Sequence, residues 1–137
     1  MIKSNLYILI LIFSILFGEI NLFDDCVRFI PKLDREDYFS GENLYLNLDI
    51  EIKDGFHIYS VDPSKSLSSS FIDIKDSTIF SHIGIIDEPK AHTYFDENFN
   101  QKIHFHKDNI TFVQNLRIYD TLSPGEYKVD ATFEYLA

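Results

Sequence analysis

The sequence predicts an all-β fold, an immunoglobulin-like sandwich of short antiparallel strands behind an N-terminal hydrophobic leader. Three observations carry the sandwich. Apolar residues recur with period two, Gly, Pro and Asp-Gly signals separate the alternating runs, and no segment after Asp24 shows a helical period.

The strands follow in order. Leu44, Leu46, Leu48, Ile50 and Ile52 alternate with Tyr45, Asn47, Asp49, Glu51 and Lys53, which turns one face to a core and the other to water. Asp54-Gly55 then predicts a two-residue type I′ hairpin, with residues 56–61 as its return strand. Residues 62–70 are polar, Ser-rich and contain Pro63, so they read as a loop. Three further strands are expected at 71–75, 78–86 and 101–107. Between the last two, residues 87–100 show no period and include Pro89, and they read as a long irregular loop of the kind that carries function. Ile110, Phe112, Gln114, Leu116 and Ile118 alternate against Thr111, Val113, Asn115 and Arg117. After a Ser123-Pro124-Gly125 turn, Tyr127, Val129, Ala131, Phe133 and Tyr135 form the final alternating run. It continues to Ala137 without a turn or a polar tail, so the domain is expected to be incomplete at its C-terminus.

The leader covers residues 1–23 and the domain residues 24–137. Lys3 precedes an apolar run at 6–17 that fits a secretory core of about 7–15 residues. A bilayer-spanning helix needs about 20. The expectation is export, to a periplasm or an equivalent compartment, with the leader either cleaved or kept as an anchor. Asp24 and Asp25 before Cys26 argue against lipidation, which requires a small residue there. A lone Cys in an exported chain is free or pairs outside the chain.

The 137 residues carry a net charge of −10, with no cluster of Lys and Arg longer than a pair. Phosphate neutralisation is thereby unavailable, and a nucleic-acid partner is excluded. A content of 45% hydrophobic residues, with thirteen Phe and eight Tyr, supports a packed core without metals or disulfides. His104 and His106 would share a strand face and could hold zinc or copper, but the sequence places no third ligand, so no metal or cofactor is expected. No nucleophile motif and no phosphate loop appears. Asn109-Ile110-Thr111 is a glycosylation sequon.

Several segments taken together resemble the periplasmic N-terminal domain of the thiol:disulfide interchange protein DsbD. They are Asn21-Leu22-Phe23-Asp24, Phe29-Ile30-Pro31, Ile52-Lys53-Asp54-Gly55-Phe56-His57-Ile58-Tyr59, the stretches 84–89 and 94–99, Thr111-Phe112-Val113-Gln114, and the ending 129–135. The resemblance implies the immunoglobulin-like sandwich. It also implies a function: electrons arrive from a membrane-embedded donor domain and reduce disulfides in exported partner proteins through a cysteine pair. That pair would follow Ala137 and is absent from these residues, so the chain is expected to be inactive alone. The resemblance places His57, Tyr59, Asp87 and Glu88 around the pair. It makes Pro89, with Tyr94 or Phe95, the cap that shields it. The alternative is a non-catalytic exported sandwich that binds a partner at an exposed edge strand.

Overall fold

The computed structural model describes residues 5–7, 26–65, 69–75 and 78–135. Within them the chain is all-β, with strands β1 (Asn5–Tyr7), β2 (Val27–Leu33), β3 (Asp37–Phe39), β4 (Asn43–Ile52), β5 (Ile58–Tyr59), β6 (Phe71–Lys75), β7 (Phe80–Asp87), β8 (His92–Asp96), β9 (Gln101–His106), β10 (Ile110–Ile118) and β11 (Asp130–Glu134). Every pairing is antiparallel. One layer is the four-stranded sheet β2-β4-β10-β7. The other is built from β11-β6 and β5-β9-β8, joined by a hydrogen bond from Ser70 N–H to Ser60 O at 3.1 Å. The pair β1-β3 completes the strands. Of the leader, only the backbone of β1 is described; the rest of residues 1–25 lies outside the described residues. No described helix is long and apolar enough to cross a membrane.

The alternation read from the sequence builds the core. Leu44, Leu46, Leu48 and Ile50 of β4 are fully buried, and so are Phe112, Leu116 and Ile118 of β10. Register sets Phe112 opposite Leu48 and Leu116 opposite Leu44, so both strands show their apolar side to the same layer. Ile72, Ile74, Ala131, Phe133 and Ile58 from the second layer join the same cluster. Fully burying each large side chain stabilises the fold by about 1.5–3 kcal/mol. Strand β2 closes one edge of the main sheet, which is where Pro31 is tolerated, because its missing N–H costs no ladder bond there.

A polar corner fixes the turn from β2 into β4. The buried Tyr38 hydroxyl donates to Asp34 Oδ1 at 2.6 Å and accepts from Arg35 N–H at 2.9 Å. Asp34 Oδ1 also accepts Tyr45 N–H at 2.8 Å. Burial, reinforced by the Asp34 carboxylate, pushes the Tyr38 hydroxyl far above its ordinary range.

Two sequence expectations change and a third is narrowed. The Asp54-Gly55 turn forms, closed by Phe56 N–H to Lys53 O at 3.0 Å, but only Gly55 has positive φ, at +88°. A type I′ turn needs positive φ at both central residues, and without it the flanking strands splay. The chain therefore leaves the main sheet, and β5 pairs with β9 instead of β4. The second change is at 87–100, which is ordered: Asp87 ends β7, and β8 forms a hairpin with β9 in continuous register. Its turn is held by Asp96 Oδ1, which accepts from Asn98 N–H (2.9 Å) and Phe99 N–H (3.3 Å). Third, Cys26, expected to be free or paired outside the chain, is a free thiol buried in the core beside Val27.

Candidate functional site

Two groups of side chains stand out, one on each side of β5. Alternation sends Ile58 and Ser60 inward and leaves His57 and Tyr59 half-buried on the other side.

The inward group centres on Glu88, immediately after β7. Its Oε1 meets His106 Nε2 at 2.6 Å and accepts Val61 N–H at 3.3 Å, while Oε2 accepts the Ser60 hydroxyl at 2.9 Å. Ser60 Oγ in turn accepts Asp62 N–H at 3.1 Å. The side chains of Glu88 and His106 are 9% and 2% exposed, and the His106 ring sets its edge against Phe112 with centroids 5.5 Å apart. Burial pushes the Glu88 carboxyl up, but the hydrogen bonds from His106 and Ser60 outweigh it and hold the group below its ordinary value. An ionised Glu88 requires the proton of the His106 contact to sit on Nε2. The order serine–carboxylate–histidine puts the carboxylate in the middle, so the imidazole does not reach Ser60 as a base. The trio locks three segments together and is not a nucleophilic triad.

Glu88 also walls an open cleft of about 630 Å³, with Val61, Phe71, Ile72, Ile85 and Ile86 as its apolar lining. One lip is a bulge in β7. Val113 faces Asp87 and Asn115 faces Ile83, so Gly84, Ile85 and Ile86 together stand opposite Gln114. Gly84 takes φ +69°, which a residue with Cβ adopts only under strain, and Ile85 is left 91% exposed.

The outward group surrounds Phe105 of β9. His57, His92 and Tyr94 lie 5.4, 5.5 and 5.6 Å from it, ring centroid to centroid, and Tyr59 meets His57 at 5.4 Å. The Tyr94 hydroxyl is pushed up, by burial first and then by the neighbouring Tyr59 and Asp96 charges.

The structure therefore divides the residues that the sequence reading grouped. His57, Tyr59 and Tyr94 come together in the aromatic cluster. Glu88 sits in the inward network, with Asp87 exposed beside it at the end of β7. Pro89 is exposed between β7 and β8, and Phe95 of β8 is 54% exposed. Of His104 and His106, expected on one strand face, His106 is buried on Glu88, while His104 Nδ1 lies 3.4 Å from Thr93 Oγ1. Among the described residues no group of three His, Cys, Asp or Glu side chains could hold a metal ion. Sequence reasoning missed Ser60 and His106 as members of the Glu88 network. Period-two spacing from Ile58 turns the Ser60 hydroxyl to the core side, but it does not pair that hydroxyl with Glu88.

Fold and site define an all-β sandwich with a locked carboxylate at the wall of an apolar cleft. Comparison with known protein families, with curated proteins and with solved structures finds no match to this chain.

Proposed function

We propose that the domain serves thiol:disulfide interchange among exported proteins, and that a partner's cysteine is met at the cleft beside Glu88. The carboxylate supports the reading. Glu88 is one of the residues that the sequence resemblance sets around an exchanging pair, and here it is a buried, ionised group facing apolar surface. A carboxylate held this way raises the pKa of a thiol brought to it and keeps that thiol protonated until exchange begins. Exchange between a dithiol and a disulfide needs two thiols on the reducing side. The 137 residues contain one cysteine, Cys26, which is buried. These residues therefore supply docking ground and electrostatics, not the dithiol. Export, a membrane-embedded electron donor and reducible partner proteins belong to the same proposal.

A probe thiol tests the chemistry. In a Cys26→Ser background, Val61→Cys places a sulfur beside Glu88. Its alkylation rate should rise with a midpoint above the ordinary thiol value of about 8.5, and Glu88→Gln should bring the midpoint back toward that value. Identical profiles in the two proteins would remove Glu88 from thiol control and end the proposal.

A second reading, an exported binding module without exchange chemistry, is favoured by Ile85, which the bulge holds 91% exposed at the mouth of an apolar cleft. It predicts that the Val61→Cys midpoint ignores Glu88, whereas Ile85→Asp abolishes partner binding.

A further inference from the structure

Among the described residues the three-stranded sheet β5-β9-β8 ends on an open edge at β8, and that edge is self-complementary. Backbone direction on β8 follows from its neighbours. His104 N–H donates to Lys65 O at 3.2 Å, and His104 O accepts Ser60 N–H at 3.0 Å, so the His104 peptide groups point away from β8. Thr93 stands opposite His104 in register. In an antiparallel ladder that makes Thr93–His104 a non-hydrogen-bonded pair. The N–H and C=O of Thr93, and by period two those of Phe95, therefore face outward from the sheet.

The two edges of the four-stranded sheet carry protection that β8 lacks. Strand β2 has Pro31, with Arg28 and Lys32 in ion pairs to Glu51 and Asp49. Strand β7 is bulged at Gly84–Ile86. Strand β8 contains no Pro, no Lys and no bulge, and it leaves Tyr94 42% and Phe95 54% exposed. Edges of this kind pair with another chain.

Reading β8 against itself settles which chain. The sequence His92-Thr93-Tyr94-Phe95-Asp96, turned antiparallel about Tyr94, sets Tyr94 opposite Tyr94, Thr93 opposite Phe95, and His92 opposite Asp96 at both ends. The outward groups of Thr93 and Phe95 then meet as two hydrogen-bonded pairs, while His92 and Asp96, on one face of the strand, bring opposite charges together when the imidazole is protonated. We propose that the domain forms a two-fold symmetric dimer by antiparallel pairing of β8 with β8 of a second copy, extending β5-β9-β8 into one continuous six-stranded sheet. The contact is a single strand on each side, so association is weak and reversible. The inference is independent of the thiol reading, because neither Glu88 nor the cleft takes part.

The register gives a direct test in the full chain. With Cys26→Ser, a cysteine at Tyr94 faces its own copy across a non-hydrogen-bonded pair, with Cα atoms about 4.5 Å apart and within disulfide reach. A cysteine at His92 lies about 13 Å from its copy, four residues along the strand. Oxidation in a glutathione buffer should convert Tyr94→Cys to a linked dimer of twice 16.0 kDa, in about tenfold greater yield than His92→Cys. Equal yields would mean collision or association through another surface. No dimer from Tyr94→Cys would mean an edge left free or covered by another segment of the chain. Either result overturns the proposal. Asp96→Asn keeps the acceptor that holds the turn but removes the charge facing His92. It should lower the Tyr94→Cys yield at pH 6 by roughly threefold, and an unchanged yield would overturn the register.

Discussion

The sheets β2-β4-β10-β7 and β5-β9-β8 are both antiparallel, yet they distribute their side chains in opposite ways. In the first, β4 and β10 put every second residue into a dry interior, and Leu44, Leu46, Leu48, Phe112 and Leu116 are wholly buried. In the second, only Ile58 of β5, Ser60 just after it, and Ile103 and His106 of β9 are buried, two apolar residues and two polar. β8 buries nothing on either face. The first sheet is held by hydrophobic transfer. The second is held by specific polar contacts, of which the Glu88 network is the most enclosed. That difference predicts how each will break.

The largest loss should come from the first sheet. Phe112→Ala removes a fully buried ring that packs across from Leu48 and supports His106, and should cost about 4 kcal/mol in urea unfolding. A loss below about 1 kcal/mol would show that the interior collapses around the gap and that the layers are less tightly packed than the burial implies.

Next comes the link between the sheets. Glu88→Ala leaves His106, Ser60 and Val61 N–H without their acceptor in a buried site and should cost about 3 kcal/mol. The acid dependence carries the same signature. The Glu88 carboxyl titrates below its ordinary 4.5 in the folded state. Its stabilisation is therefore present above the unfolded value and disappears as the pH falls through the lower folded value. Unfolding midpoints from pH 7 to 3 should fall less steeply for Glu88→Gln than for the parent. Parallel curves would show that the carboxylate contributes no net charge stabilisation.

The contrast between the sheets also explains what could be read from the sequence. Period two in 44–52 and 110–118 records burial of one face, and both strands lie where that period puts them. The same logic fails at His92–Asp96, because a strand exposed on both faces has no face to mark, and its order comes from pairing with β9 and from the Asp96 turn. Asp54-Gly55 showed that a turn would form but not where the chain would go afterwards, since that depends on the φ of Asp54. At the candidate site, Glu88 was named only as what a resemblance implied, not from any local pattern. Its partners Ser60 and His106 come from segments 28 and 18 residues away, a long-range convergence that no local spacing encodes.

The corner beside the first sheet offers an intermediate effect. Tyr38→Phe keeps the buried ring but removes a hydroxyl that donates to Asp34 and accepts from Arg35 N–H. The expected cost is about 1.5 kcal/mol, because an acceptor for a part-buried amide is lost along with the bond. An effect near zero would mean that water replaces the hydroxyl and that the corner is wetter than its burial indicates.

The smallest effect should fall on the second sheet. Phe95 lies on β8 opposite Lys102, 54% exposed, and buries little against its own chain. Phe95→Ala should change stability by less than about 0.5 kcal/mol when the protein is dilute. A loss approaching that of Phe112→Ala would erase the distinction between the sheets and make β8 part of the core. The concentration dependence sharpens the contrast further. If β8 pairs with a second copy, the parent gains stability by mass action as protein concentration rises, and Phe95→Ala, having less apolar surface to cover at that pairing, gains less. The gap between the two proteins should then widen from dilute to concentrated solution. The gap for Phe112→Ala, whose side chain never reaches the edge, should stay constant.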